Sequence, residues 1–251
     1  MSASGKELAA RRAAQIIASF LDRVERVGIG TGSTVALILE EFSAQPLVLE
    51  KLASKKLYAS SVDTLMKLEE LGLSASMDVP AKGLDLYVDG ADEVEIGSSD
   101  CPTLKGRGAA MTLEKIMAYN SRYTIIVVDE TKVSQRLGEK ERPVPVEVLR
   151  PALLPVLAEL RLLGVRAEAR TACTCRDGPA CTDVGGYVVD VWPWGVMDPR
   201  TLEAVLERMP GVVSHGLFIG FVDRIVVGRS SGVVEEVECK RTRRSKAIQA
   251  N

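Results

Sequence analysis

The stretch VERVGIGTGSTV, residues 24–35, decides the fold. Residues 24–29 read as an apolar strand, Gly30 to Thr34 as a glycine-rich turn, and the chain from there to about Phe42 as a helix. A strand that passes through a tight turn into a helix N-terminus is the opening unit of a parallel α/β sheet. The turn has chemistry of its own. Its glycines let a ligand approach the backbone, and Ser33 and Thr34 set hydroxyls beside unpaired amides at the positive helix end, a seat for phosphate. It is not the dinucleotide fingerprint, because Ser33 stands at the last glycine position and no Walker lysine follows. A strand–helix turn with no ligand is the competing reading.

Outward from this unit the first half keeps alternating. A helix is predicted over 5–21, strands at 57–59 and 84–88, and helices from Ser61 to about Leu71 and over 109–121. Residues 123–128 are continuously apolar and β-branched, as in a strand covered on both faces. The charged, proline-containing stretch 136–145 marks a change of character. A helix is predicted over 148–163, with Pro151 and Pro155 near its start and Gly164 past its end. Strands follow at 165–173 and 187–191, then a helix at 199–209 and apolar segments at 212–213, 217–221 and 225–227. The prediction is an α/β chain. Residues 1–134 and 209–236 form a parallel-sheet domain, 135–208 form a smaller inserted α+β unit, and 237–251 form a solvated, disordered basic tail.

Composition narrows the function. The 251 residues hold 32 Lys+Arg against 34 Asp+Glu, and five of the basic residues (Lys240, Arg241, Arg243, Arg244, Lys246) lie in the tail. The body is therefore acidic, which disfavours nucleic acid. No signal peptide or membrane span is visible, so a soluble cytoplasmic protein is expected. There is one histidine, His215. A triad or imidazole shuttle would have to use it. Cys173, Cys175 and Cys181 cluster around a turn, but zinc needs a fourth ligand, and Cys101, Cys239 and His215 are distant in sequence. A hairpin disulfide among the three competes with free thiols. Only two Asn and four Gln are present, a scarcity that fits heat adaptation.

Three further stretches carry candidate chemistry. Ser60-Ser61-Val62-Asp63-Thr64 again sets hydroxyls before a helix, for a ligand or for plain capping. In YVDGADEVE (87–95) Asp89 follows a strand, and Gly90 permits a turn that aims Asp89 and Asp92 into one cleft. The bland alternative is an acidic surface loop. In TLKGRGAAMTLEKI (103–116) Lys105 sits in a glycine-punctuated loop, and Glu114 interrupts the apolar stripe of Ala110, Leu113, Met117 and Ala118. Burial would raise the Glu114 pKa and make it a base near neutrality; an ion pair with Lys105 or Lys115 is the structural alternative. Together these groups suit histidine-free aldose–ketose isomerisation of a phosphorylated polyol. Two hydroxyl-rich helix ends would hold the substrate, Lys105 would stabilise an enediolate, and Glu114 would move a proton between adjacent carbons.

In these motifs the sequence resembles the ribose-5-phosphate isomerase A family. GIGTGST, YVDGADE, KGRGAAMTLEKI, VDETK, PVEVLRP, TDVGGYVVD and PGVVSHGLF occur in the family's order from about residue 5 to 235. The resemblance implies a Rossmann-like domain with a smaller ferredoxin-like α+β domain, assembled as a homodimer or homotetramer. It implies interconversion of D-ribose 5-phosphate and D-ribulose 5-phosphate through an enediolate, without metal or cofactor, in the non-oxidative pentose phosphate pathway. Carried onto matching positions, Glu114 is the base, Asp89 assists ring opening, Lys105 stabilises the enediolate and Asp92 orders the site. Thr31, Gly32, Ser33, Thr34, Gly90, Gly106 and Gly108 face the substrate, and Lys132 helps bind its anionic end.

The sequence departs from the family at Arg107, which replaces the second glycine of a Lys-Gly-Gly-Gly loop. A positive φ there would cost arginine about 1 kcal/mol or more; otherwise the side chain adds a phosphate contact. The N-terminal phosphate-binding lysine of some relatives has candidates in Lys6, Arg11 and Arg12. The cysteine hairpin has no family counterpart, and His215 is read as structural. The alternatives are a non-enzymatic sugar sensor, which would not need Lys105 and Glu114, and an amino-sugar phosphate deaminase, which normally employs histidine.

Overall fold

The computed structural model describes residues 4–172 and 177–245. It opens with α1 (Gly5–Phe20), capped reciprocally by Ser4 and Glu7. Then come β1 (Arg26–Ile29), α2 (Ser33–Ser43), α3 (Pro46–Ala53), β2 (Lys56–Ala59), α4 (Val62–Glu70) and β3 (Ala75–Ser76). β4 (Leu84–Gly90) leads to β5 (Glu93–Glu95), β6 (Thr103–Leu104), α5 (Met111–Tyr119), β7 (Ser121–Asp129) and β8 (Val133–Ser134). A second group follows: β9 (Val144–Val148), α6 (Leu153–Leu162), β10 (Arg166–Ala169), β11 (Tyr187–Trp192), α7 (Pro199–Leu206) and β12 (Val212–His215). The chain closes with β13 (Leu217–Phe218), β14 (Arg224–Gly228) and β15 (Val234–Glu238).

The large sheet runs β15-β14-β7-β4-β1-β2-β3 and is parallel except for β15. The chain works from β1 to one edge, then crosses back to lay β4 on the other side of β1. Between β1 and β4 the winding reverses, and the crevice beyond their carboxyl ends is where such sheets bind ligands. The central strands are covered on both faces, with Val88 and Ile125 buried on one and Tyr87 and Ile126 on the other. α1 lies close on the sheet because its inner face is Ala9, Ala10, Ala13 and Ala14. A Cβ on Gly228 would stand 1.8 Å from the Gly5 carbonyl oxygen, so helix and strand meet backbone to backbone.

The second sheet, β10-β11-β9-β12, is antiparallel. With α6 and α7 it makes the βαββαβ order of a ferredoxin-like unit, packed on Val146, Val156, Leu160, Val189 and Leu202. A third small sheet, β13-β6-β5-β8, joins the two and carries the strand before Lys105.

Several expectations change. Val148 ends strand β9 rather than starting a helix; the buried β-branched run there pairs with β11 and β12. Residues 212–213, expected to return to the first domain, belong to β12 at the edge of the small sheet. α3 was not foreseen. The tail is not free over 241–244: the Arg241 side chain is buried against Asp223, Arg243 pairs with Glu203 and Glu207, and Arg244 pairs with Asp223. The acids that complement this basic run lie on other elements, so local sequence does not show them. Residues 246–251 lie outside the described ones. Cys101 and Cys239 form a disulfide. The choice between a hairpin bridge and free thiols at Cys173, Cys175 and Cys181 falls partly outside the described residues.

Candidate active site

At the carboxyl end of β1, Gly30 has no room for a side chain: a Cβ would meet the Asp89 carboxylate at 2.1 Å. Gly32, with φ +98°, caps α2 in a conformation that favours glycine. The first amides of α2 therefore lack intrahelical partners and face an open cavity of about 410 Å³. Lys6, at the start of α1, reaches over and donates to Ser33 Oγ at 2.9 Å. Lys132, in the short 3₁₀ turn Glu130–Lys132 after β7, closes the same end. Partial burial and the nearby Arg142 lower its pKa. Lys6, Lys132 and the helix end make this the electropositive end of the cavity.

The other end of the cavity holds the carboxylates. Asp89 is completely buried; its Oδ1 accepts from the amides of Thr31 (3.0 Å) and Gly90 (2.7 Å). Its Oδ2 accepts from the Tyr87 hydroxyl and from Lys105 Nζ at 2.8 Å. Burial and the Asp89 charge raise the Tyr87 pKa, so the phenol stays a donor. Lys105 also donates to the Gly90 carbonyl at 2.6 Å and lies 3.4 Å from Glu114 Oε1. Burial alone would lower the Lys105 pKa, but Asp89 and Glu114 outweigh it, and the ammonium is held above its usual value. Glu114, in the first turn of α5, is only 4% exposed, and its Oε2 is buried without a partner. Burial pushes its pKa from 4.5 to about 8; Lys105 opposes this, while Asp89 and Asp92 add to it.

The structure thus brings Thr31, Gly32, Ser33, Thr34, Gly90, Asp92, Lys105, Gly106, Gly108, Glu114 and Lys132 to one cavity, with Asp89 beneath its floor. Of the lysine candidates, Lys6 lines the cavity, whereas Arg11 and Arg12 pair with Glu41 and Glu236. The second hydroxyl turn is not a ligand seat. Ser61 caps α4 through the Thr64 amide, and Ser61 and Thr64 hold the Thr31 hydroxyl from below. Arg107 is absent from the residues with positive φ, so arginine carries no backbone penalty there. Its amide donates to Asp92 Oδ2 at 3.0 Å. Glu114 pairs with Lys105 and not with Lys115, which turns to His215 Nδ1 at 3.0 Å. His215, Glu203 and Glu207 are close enough to hold an ion, but Arg243 already pairs with both carboxylates there. Tyr87 was missed in sequence, because only its hydroxyl's meeting with Asp89 gives it a role.

The family profile of ribose 5-phosphate isomerase A (phosphoriboisomerase A) matches residues 56–232, which include Asp89, Lys105 and Glu114. The chain belongs to the ribose 5-phosphate isomerase A family. It is 40% identical over 223 residues to ribose-5-phosphate isomerase A of Aeropyrum pernix, covering 89% of this chain and 90% of that one. To the Methanothermobacter thermautotrophicus enzyme it is 36% identical over 228 residues, covering 91% and 95%. The solved ribose 5-phosphate isomerase A of Methanocaldococcus jannaschii superposes with a TM-score of 0.81 at 31% identity, covering 93% of this chain and 98% of that one. Family membership makes the chain an aldose–ketose isomerase, and Lys105 and Glu114 in one cavity are groups that a sugar sensor would not need.

Proposed function

We propose that this chain interconverts D-ribose 5-phosphate and D-ribulose 5-phosphate through an enediolate, with Glu114 as the proton carrier. The observation that carries the reading is the pairing of a buried, half-unpartnered Glu114 with the Lys105 ammonium at the floor of a cavity whose far end is cationic. The phosphate sits at the α2 N-terminus, between Lys6, Ser33, Thr34 and Lys132, and places the sugar's carbonyl end over Lys105. Asp92 and the Gly106–Gly108 loop line the wall between. Glu114 removes the C2 proton of the open-chain aldose, and Lys105 stabilises the negative charge that grows on the oxygens. The same carboxylic acid returns the proton to C1. Ring opening comes first: Asp89 Oδ2 accepts the anomeric hydroxyl proton and returns it to the ring oxygen, and after C2 deprotonation the same carboxylate carries the O2 hydroxyl proton to O1, so that the C2 carbonyl and C1 hydroxyl of the ketose form. A related isomerase was solved with phospho-erythronic acid, a phosphorylated acid that fits this division into anionic seat and polar floor.

The family resemblance also supports a cytoplasmic homodimer or homotetramer. No described helix is long and apolar enough to cross a membrane. Exposed Leu154 and Leu162 on α6 offer apolar surface to a second copy. Incubation with ribose 5-phosphate in the presence of EDTA, followed by ketose detection, tests the reaction. Turnover is expected; its absence would sink the function, and its loss only on chelation would sink the metal-free route.

A further inference from the structure

The loop after Lys105 is held from outside the large sheet. Arg170 continues strand β10, its amide bonding to the Val188 carbonyl at 2.8 Å. Asp190 lies on the neighbouring strand β11, opposite Glu168. Arg170 and Asp190 are thus diagonal neighbours on one face of the small sheet. They meet through two hydrogen bonds, Nε to Oδ2 at 2.9 Å and Nη2 to Oδ1 at 2.5 Å. This forked pairing fixes the guanidinium plane and leaves Nη1 free to point away. Nη1 donates to the carbonyls of Gly106 (3.2 Å) and Arg107 (2.9 Å).

Those two bonds orient two peptide planes. In a trans peptide the N–H points opposite to the C=O. With the Gly106 carbonyl drawn to Arg170, the Arg107 amide must face the other way, and it donates to Asp92 on the cavity wall. With the Arg107 carbonyl drawn the same way, the Gly108 amide is turned from the small sheet toward the cavity that Gly108 lines. Among the described residues that amide has no hydrogen-bond partner. The Gly106 carbonyl also accepts from the Ala109 amide at 3.0 Å within the loop's own turn, but among the described residues the carbonyl of exposed Arg107 is held by Arg170 alone.

We propose that Arg170, clamped by Asp190, is a positioning residue for the isomerisation. It fixes the 107–108 peptide so that the Gly108 amide, beside Lys105, faces the oxygen on which charge develops. The small α+β unit thereby contributes to a site it does not line. This inference rests on the isomerase reading of that site.

The test is kinetic, with chemical rescue. Arg170→Ala and the unsubstituted chain are assayed side by side on ribose 5-phosphate, with and without guanidinium or methylammonium at non-denaturing concentration. Misplacing a donor costs on the order of 10- to 100-fold in kcat, and a smaller change in KM is expected because the amide serves the transition state. Guanidinium, but not methylammonium, should restore much of the loss, since only the planar fork can bond Asp190 and both carbonyls. Arg170→Lys should stay impaired for the same reason. The pH at which the rate levels should not move, because Arg170 does not touch Glu114. A kcat within about twofold of the parent would overturn the proposal, as would a loss that guanidinium leaves unrelieved. No turnover by the unsubstituted chain would instead remove the isomerase reading and the proposal with it.

Discussion

Glu114 offers one carboxylate oxygen to Lys105, 3.4 Å from its Nζ, and keeps the other buried without a partner. Asp89 takes the shorter bond to the same ammonium, 2.8 Å, and is itself saturated by Tyr87 and two amides. The lysine charge is thus committed mainly to Asp89. A glutamate gripped as tightly would be a poor base, and one with no cation nearby would hold its proton well above neutrality. The asymmetry leaves Glu114 basic and still ionisable.

Glu114→Gln keeps the shape of the side chain and removes the base. Loss of general-base catalysis lowers kcat by roughly 100- to 10,000-fold, with little change in KM because the phosphate seat is untouched. Steady-state kinetics on ribose 5-phosphate check this, and near-normal turnover would dismiss Glu114.

The raised Glu114 pKa has two consequences of opposite sign. Catalysis needs the carboxylate, so kcat/KM should climb with pH and level off near 8. Stability runs the other way: between 4.5 and about 8 the folded state holds a proton that the unfolded state has lost. The Glu114 contribution to stability is therefore complete below 4.5 and declines as pH rises to about 8. Glu114→Gln mimics the neutral form, so its melting temperature should exceed the parent's above pH 8, with the gap closing in acid. Parallel melts across pH that show no such divergence would contradict the burial argument.

Lys6 reaches the anionic seat from α1, 2.9 Å from Ser33 Oγ, while Arg11 and Arg12 are engaged elsewhere. Lys6→Ala should raise KM by about tenfold, the loss of one charge-assisted contact, and leave kcat within a few-fold. Arg12→Ala should do neither. Equal KM effects for the two would return the phosphate-binding role to open choice among them.

What was legible in the sequence follows from how local each feature is. The central strands could be read because burial on both faces leaves unbroken apolar runs, as in β7. Most of the cavity residues could be read because they sit in glycine-marked turns at strand ends, and Glu114 because it is the one acid on an apolar helix stripe. β12 was misplaced because its membership in the small sheet depends on pairing with β9, far back in the chain. Arg170 and Tyr87 carried no sequence signal beyond ordinary strand residues; their roles exist only in distances to Gly106, Arg107 and Asp89. The basic tail misled for a related reason. A run of cations with no acid among them reads as solvated, but Asp223, Glu203 and Glu207 approach from other elements.

Arg241 makes that last point testable. Its side chain is 1% exposed and bonds Asp223, the Thr124 hydroxyl and the Ala118 carbonyl near the end of α5. Arg241→Met strands part of a buried carboxylate and frees a helix-end carbonyl, which costs about 3 kcal/mol. Arg244, which also pairs with Asp223, is one-third exposed, so Arg244→Met should cost clearly less. Urea unfolding of both variants measures the difference; no loss for Arg241→Met would restore the picture of a solvated tail.

The Cys101–Cys239 disulfide ties the start of this strap to the loop before β6, across 138 residues of chain. Closing a loop of that length removes conformations chiefly from the unfolded state, worth about 5 kcal/mol in the chain-entropy picture. Cys101→Ser, or reduction, should therefore lower the melting temperature by several degrees. The kinetic constants measured well below that temperature should hold, because neither sulfur touches the cavity. Mass spectrometry of the unreduced digest should show the two cysteine peptides linked. If they are found separate, or if reduction leaves the melt unchanged, the bridge does not staple the strap, and the ion pairs of Arg241, Arg243 and Arg244 with its backbone bonds to Gly220 and Tyr119 hold it.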